Sequence, residues 1–466
     1  MAGILSRERI VAPPGYNRWL VPPAALAIHL CIGQVYAFSV FNLPMTRLLG
    51  VTQSAPDDWK LTDIGWIFSI AIAFLGLSAA FLGRWVEEGG PRRSMLAAAC
   101  CFSGGFMVAA YGISIHSLWL VYLGYGALGG IGLGLGYISP VSTLMKWFPD
   151  RPGMATGLAI MGFGGGAMIG SPLAVWLMHA FSSPTNVGVA PTFVVMGILY
   201  FALMLFGVVT VRIPAQNWKP EGWTAPVKTK AMITQAHVHV DTAIRTRQFW
   251  LLWAVLCLNV TAGIGVLGQA SAMSQEMFPG VITASAAAGF VGLLSIFNMA
   301  GRFFWSSASD YLGRKTTYAI YFLLGIALYA AVPWTGHTGN IVLFVCCYAV
   351  ILSMYGGGFA TIPAYLKDMF GTMHVGAIHG RLLTAWSVAG ILGPVLVNYI
   401  RDYQIGSGVP KAEAYTFTMY IMAGLLAVGF VCNLLVRPVA PHHHHDPLPT
   451  DDEKDRLNPQ AAFGRS

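Results

Sequence analysis

Charge is scarce in this sequence. Asp, Glu, Lys and Arg make up 10% of its 466 residues, and apolar types make up 56%. A soluble domain carries about a quarter charged residues, so a water-soluble globular protein is excluded and an all-α integral membrane protein is expected. Cysteine is nearly as sparse. The seven cysteines (Cys31, Cys100, Cys101, Cys257, Cys346, Cys347 and Cys432) all fall in apolar segments without metal or redox spacing, so no disulfide framework and no metal site is expected. The 19 acidic residues lie in loops, tails or helix ends. No nucleophile, metal set or acid–base pair converges at one depth, which argues against an enzyme and against a cofactor. The formal net charge of +8 brings nucleic acid to mind, but the basic residues sort by membrane side and form no basic groove.

Long apolar runs are what the sequence does have. About 20 residues of helix cross a hydrocarbon core of about 30 Å. Twelve runs meet that length, near 19–42, 62–84, 94–115, 118–143, 153–179, 191–211, 248–274, 283–308, 316–334, 340–364, 377–400 and 414–436. The hydrophilic stretch 212–247 divides them six from six. The resulting plan is a short segment 1–18, a six-helix bundle 19–211, a linker 212–247, a second bundle 248–436 and a tail 437–466. The first run lacks a cleavage pattern and is kept as a helix. With both termini cytoplasmic, Arg47, Lys60, Arg401 and Lys411 fall outside and Arg302 lies at depth. Every other one of the 27 lysines and arginines is then cytoplasmic, as the positive-inside rule requires. The expected setting is the inner cell membrane, with lipid as the main partner and a monomer as the default.

Arg302 interrupts the apolar stretch "SIFNMAGRFFW" (295–305). A charge at bilayer depth costs roughly 2.5–3.5 kcal/mol on insertion scales and normally persists where it binds something. At about 1.5 Å per residue it lies roughly 12 Å from interfacial Asp310. Tyr137, Tyr355, Phe359 and Trp386 fall at similar depth, and Tyr36 and Asn298 join them as candidate lining. A guanidinium matches a carboxylate in a planar fork, and aromatic walls strengthen the contact by excluding water. Plain packing is the competing reading for each aromatic, and a structural arginine bonded to backbone carbonyls is the alternative for Arg302. His29 reads as a neutral hydrogen-bonded histidine, with a proton relay as its alternative. Lys367 and Asp368 read as interfacial gate or topology residues. The glycine runs "GGIGLGLG" (129–136), "GFGGGAMIG" (162–170) and "YGGG" (355–358) lie inside apolar helices, where glycine lets helices approach; they are not phosphate loops. The histidine run His442 to His445 opens a polar tail with no assigned function.

The two halves repeat. Gly83, Glu87, Gly90, Arg92 and Arg93 after the second run are echoed by Ser306, Asp310, Gly313 and Lys315, with Arg314 beside it, after the eighth. Gly157, Phe163 and Pro172 are echoed by Gly380, Trp386 and Pro394. A parallel six-plus-six repeat places substrate between the halves near the midplane.

That repeated loop resembles the signature loop of the major facilitator superfamily, and the resemblance covers nearly the whole chain. The blocks "GQVYAFSVF" (33–41), "KWFPDRPGMATG" (146–157), "RTRQFWLLW" (245–253), "FNMAGRFFWSSASDYLGR" (297–314) and "KDMFGT" (367–372) resemble the oxalate:formate antiporter family, related to the monocarboxylate transporters. The resemblance implies a twelve-helix major facilitator fold that exchanges small carboxylate anions by alternating access. Arg302 sits at the family's anion-binding position, and Gly83, Glu87, Gly90, Arg92, Asp310, Gly313 and Arg314 sit in the gating loops. Two departures stand out. Trp386 occupies the position where the oxalate exchanger type has a lysine, which implies a monocarboxylate preference. Asn298 occupies the position where proton-coupled monocarboxylate transporters carry an aspartate. The alternatives are a proton-coupled symporter, with the proton as coupling ion, and a non-transporting membrane sensor.

Overall fold

The computed structural model describes residues 7–216, 218–223, 232–234, 236–267 and 270–444. Residues 1–6, the middle of the linker and the tail from His445 onward lie outside the described residues. Eleven described helices are long and apolar enough to cross a bilayer. They are α1 (Arg18–Phe38), α2 (Asp63–Gly89), α3 (Pro91–Ser114), α4 (Leu118–Trp147), α5 (Pro152–Phe181), α6 (Val189–Thr210), α7 (Arg247–Leu267), α9 (Arg314–His337), α10 (Ile341–Phe370), α11 (Val375–Gly406) and α12 (Thr416–Leu435). Between α7 and α9 lies α8 (Ala284–Leu312), whose 29 residues exceed 30 Å at about 1.5 Å per residue. Together these are the twelve expected helices.

The boundaries follow local chemistry. Pro91 and Pro152 open α3 and α5, where the missing N–H has no partner to lose. The turns between α2 and α3 and between α8 and α9 are made by Gly90 at φ 81° and Gly313 at φ 86°, a region that side chains other than glycine avoid. Two irregularities were not expected from the apolar runs. The end of α1 tightens into a 3-10 stretch that runs over Gly33–Phe41. α11 is broken at Leu383 into Val375–Leu382 and Thr384–Gly406.

The halves meet along two seams, α2 against α11, and α5 against α8 and α10. Between them lies a cavity of about 480 Å³ touched by Tyr36, Trp66, Gly164, Ile264, Asn298 and Pro394. Its α8 members, Val291, Ser295 and Asn298, all precede Arg302, whereas the signature loop follows it. The cavity therefore occupies the end opposite the signature loops. Large apolar side chains such as Phe81, Trp119 and Val342 are exposed on the outside of the helices, as a lipid-facing surface requires. The ends of the linker are tied down. Ile213 exchanges backbone hydrogen bonds of 2.9 Å with Ile10 and Ala12, while Thr234 and Val238 donate to the carbonyls of Asp368 and Phe370.

Candidate functional site

Arg302 is fully buried where α5, α8 and α10 meet. Its Nε donates to Asn298 Oδ1 at 3.2 Å, one turn back on α8, and its Nη1 donates to the Ile160 carbonyl on α5 at 3.4 Å. The rings of Phe163 and Phe359 lie 5.5 and 5.4 Å from the guanidinium carbon, close enough for cation–π attraction. Nη2 has no hydrogen-bond partner. Among the described residues, Arg302 takes part in no ion pair.

The other expected site residues are brought together around it. Trp386 is fully buried and packs against Phe359 (4.4 Å between ring centres), Tyr137 (5.3 Å), Phe163 (5.4 Å) and Tyr36 (6.3 Å). The Tyr36 and Tyr355 hydroxyls hydrogen-bond across the halves at 3.2 Å, and Tyr355 packs edge-on against Phe359. Tyr36 and Asn298 also line the cavity, so they stand between it and the guanidinium. Phe163 was not among the expected site residues, although the repeat that aligns it with Trp386 carried the signal.

What this arrangement can do follows from which atoms lack partners. Beside Arg302 Nη2, the Tyr137 hydroxyl and Trp386 Nε1 are buried and unpartnered. Arginine and tryptophan only donate, and a tyrosine hydroxyl donates readily. Buried donors left unsatisfied are expensive, and an acceptor-rich, negatively charged ligand is the kind of chemistry that satisfies such donors. His29 differs, because its ring nitrogens lie 2.5 Å from the Ala159 carbonyl and 3.1 Å from the Tyr137 carbonyl. A neutral imidazole donates to only one of these carbonyls.

At the far end from the cavity, each signature carboxylate reaches into the opposite half. Glu87 on α2 accepts from the Gly376 N–H in the first turn of α11 (3.0 Å), from Ser142 (2.7 Å) and from Lys146 (2.7 Å). Asp310 on α8 accepts from the N–H groups of Gly153 (2.8 Å) and Met154 (2.9 Å) in the first turn of α5, and from Arg314 (2.6 Å). Both carboxylates thus meet helix N-termini, where free N–H groups and the helix dipole favour negative charge. Arg314 also binds Asp368 at 3.0 Å, and Lys367 donates across the halves to the Pro149 carbonyl at 3.2 Å. Gly83 faces Ala377 so closely that a Cβ would come within 2.9 Å of its Cα. In the adjoining loop, burial alone would raise the Asp150 carboxyl, but hydrogen bonds and charge from Arg18 hold it below its usual range. The Arg92 side chain donates to the Val208 and Val209 carbonyls at the last turn of α6 within the first half. Lys146 and Ser142 are the side chains that the repeat did not identify.

Twelve membrane-length helices in two packed halves, a buried cation between them and a closure at one end define the architecture of a secondary transporter. The Major Facilitator Superfamily model matches residues 24–394, and the chain belongs to that family. Over 383 residues it is 26% identical to the oxalate:formate antiporter of Oxalobacter formigenes, covering 81% of this chain and 83% of that one. It is 24% identical to apicoplast pyruvate carrier 1 of Toxoplasma gondii, covering 90% and 88%, and 21% identical to mouse monocarboxylate transporter 14, covering 90% of each. Among solved structures it resembles the transporter FucP in its outward conformation, with a TM-score of 0.65, 14% identity and coverage of 90% of this chain and 100% of that one.

Proposed function

We propose that this transporter exchanges small monocarboxylate anions across the membrane, binding the carboxylate at Arg302 and working by alternating access. The observation that carries the reading is the set of unpartnered donors, Arg302 Nη2, Tyr137 hydroxyl and Trp386 Nε1, buried beside a guanidinium without a counter-charge. The names of the relatives, an oxalate:formate antiporter, a pyruvate carrier and a monocarboxylate transporter, support the same substrate class. Exchange is favoured over net transport on electrostatic grounds. The empty site carries a positive charge that resists reorientation in a low-dielectric interior, and a bound anion neutralises it. Proton symport has less support, since Asn298 stands where a proton-accepting carboxylate would be needed. On this reading the signature-loop end, where basic residues concentrate, faces the cytoplasm.

The test is counterflow of labelled formate, lactate, pyruvate and oxalate in proteoliposomes. Exchange of a monocarboxylate should persist without a proton gradient. Arg302→Gln should fold and insert but lose exchange, and Arg302→Lys should keep little because the fork geometry is gone. Near wild-type counterflow by the glutamine variant would sink the role of Arg302.

A further inference from the structure

Below the Arg302 shell, on the side of the signature loops, a further buried polar side chain without partners adjoins Tyr137. His379 on α11 is fully buried, and neither of its ring nitrogens has a hydrogen-bond partner. Its ring centre lies 5.8 Å from that of Tyr137, whose hydroxyl is also unpartnered. This arrangement is unlike that of His29, which stacks on Tyr137 at 5.3 Å and has a backbone carbonyl to receive its ring N–H. A histidine that only fills space is normally given one partner, because a buried donor without one is destabilising.

The position of His379 gives the pair a direction. Along α11 it lies roughly 10 Å from Trp386 and about one turn from Gly376. Gly376 is the residue whose N–H is held by Glu87 across the halves. His379 therefore stands between the anion site and the closure. It also lies at the α2–α11 seam, since a Cβ on its neighbour Gly380 would fall 2.1 Å from the Ala79 carbonyl. When that seam parts, a ligand leaving Arg302 toward the signature loops passes Tyr137 first and His379 next.

We propose that Tyr137 and His379 form a second carboxylate station, which receives the anion from Arg302 on its way to the signature-loop end. The ligand is the same monocarboxylate, met by the Tyr137 O–H and one His379 N–H. The neutral imidazole provides a donor without adding a second positive charge beside Arg302. Such a station lowers the barrier to release and contributes little to equilibrium affinity, because the resting anion is held at the guanidinium. This inference rests on the anion-exchange reading, but its test separates the two.

The experiment compares His379→Phe, His379→Gln and Tyr137→Phe with wild type. The probe is whichever of formate, lactate and pyruvate the wild-type protein exchanges fastest. Equilibrium binding is followed by tryptophan fluorescence on purified protein, and saturated exchange is followed by counterflow in proteoliposomes. Loss of one transition-state hydrogen bond corresponds to about tenfold in rate. His379→Phe is therefore expected to slow saturated exchange about tenfold and to leave the binding midpoint within about twofold. His379→Gln keeps an N–H and should recover most of the rate; Tyr137→Phe, which also removes a donor from the Arg302 site, should slow exchange and weaken binding together. The proposal is overturned if His379→Phe exchanges at the wild-type rate. It is equally overturned if the phenylalanine and glutamine variants of His379 are equally slow, or if affinity in His379→Phe falls as much as rate. Retained binding by Arg302→Gln would instead overturn the parent reading, whatever the His379 variants do.

Discussion

On the proposed reading, Trp386 is the residue that would set which anions the site prefers. Its indole fills space beside Phe359 and Tyr137, and its unpartnered Nε1 offers one donor to a carboxylate already held by Arg302. A dicarboxylate would bury a second negative charge facing a single cation, a penalty of several kcal/mol unless other donors meet it. Wild type should therefore prefer formate or lactate, and Trp386→Lys should shift selectivity toward oxalate by supplying a second cation. Competition of unlabelled oxalate against a labelled monocarboxylate at fixed pH measures this in both proteins. If wild type already favours oxalate, the hydroxyls of Tyr36, Tyr137 or Tyr355 are meeting the second carboxylate and this role of Trp386 is wrong. Legibility in the sequence tracks how sharply each residue breaks its surroundings. Arg302 stands out as a charge within an apolar run. Trp386 and the tyrosines were reached only through depth and resemblance, because one aromatic among many looks like packing. His379 and Ile160 gave no signal, since their importance lies in a missing partner and in a backbone carbonyl, neither of which is written in the local sequence.

The glycine run in α10 shows how a helix makes room for such a charge. A Cβ on Gly356 would lie 2.2 Å from the Asn298 carbonyl oxygen, 2.6 Å from its Oδ1 and 3.0 Å from Arg302 Cγ. Gly356→Ala should thus push α10 away from α8 at the point where Asn298 holds the guanidinium, destabilising the protein by about 1–3 kcal/mol as overpacking does. Gly424 in α12 has nothing within 4 Å of the same position, so Gly424→Ala should leave stability unchanged or raise it by up to about 1 kcal/mol through helix propensity. Thermal unfolding in detergent with a monocarboxylate-binding titration checks both. Equal effects at the two sites would remove the packing explanation. The reading of these glycines as helix-approach points, and the number of helices, were visible in the sequence because both follow from composition and length. The 3-10 stretch of α1, the break at Leu383 and the destination of Arg92 were not. They depend on contacts between helices, which a run of apolar residues does not encode.

Across the whole molecule, on the proposed alternating-access reading, the closure at one end and the cavity at the other would be a single state of a two-state machine. Glu87 and Asp310 each accept backbone N–H groups from a helix of the opposite half, so these bonds exist only while the signature-loop end is closed. Interactions present in one state and absent in the other set the balance between them. Asp310→Asn removes the charge that faces the α5 N-terminus and Arg314, and Glu87→Gln does the same at α11 and Lys146. Helix-terminus and charge-assisted contacts of this kind are worth about 1 kcal/mol each. Each substitution should therefore shift the conformational balance several-fold toward opening at the signature-loop end, altering the saturated exchange rate more than the equilibrium affinity. Glu87 acts on the α2–α11 seam and Asp310 on the α5–α8 seam. Because the seams close one common state, the double variant should shift the balance by about the sum of the two single effects in free energy. Saturated counterflow and equilibrium binding of the same monocarboxylate across the four proteins separate the outcomes. A steep fall in affinity with an unchanged saturated rate would mean that these carboxylates shape the binding site and do not act as its gate.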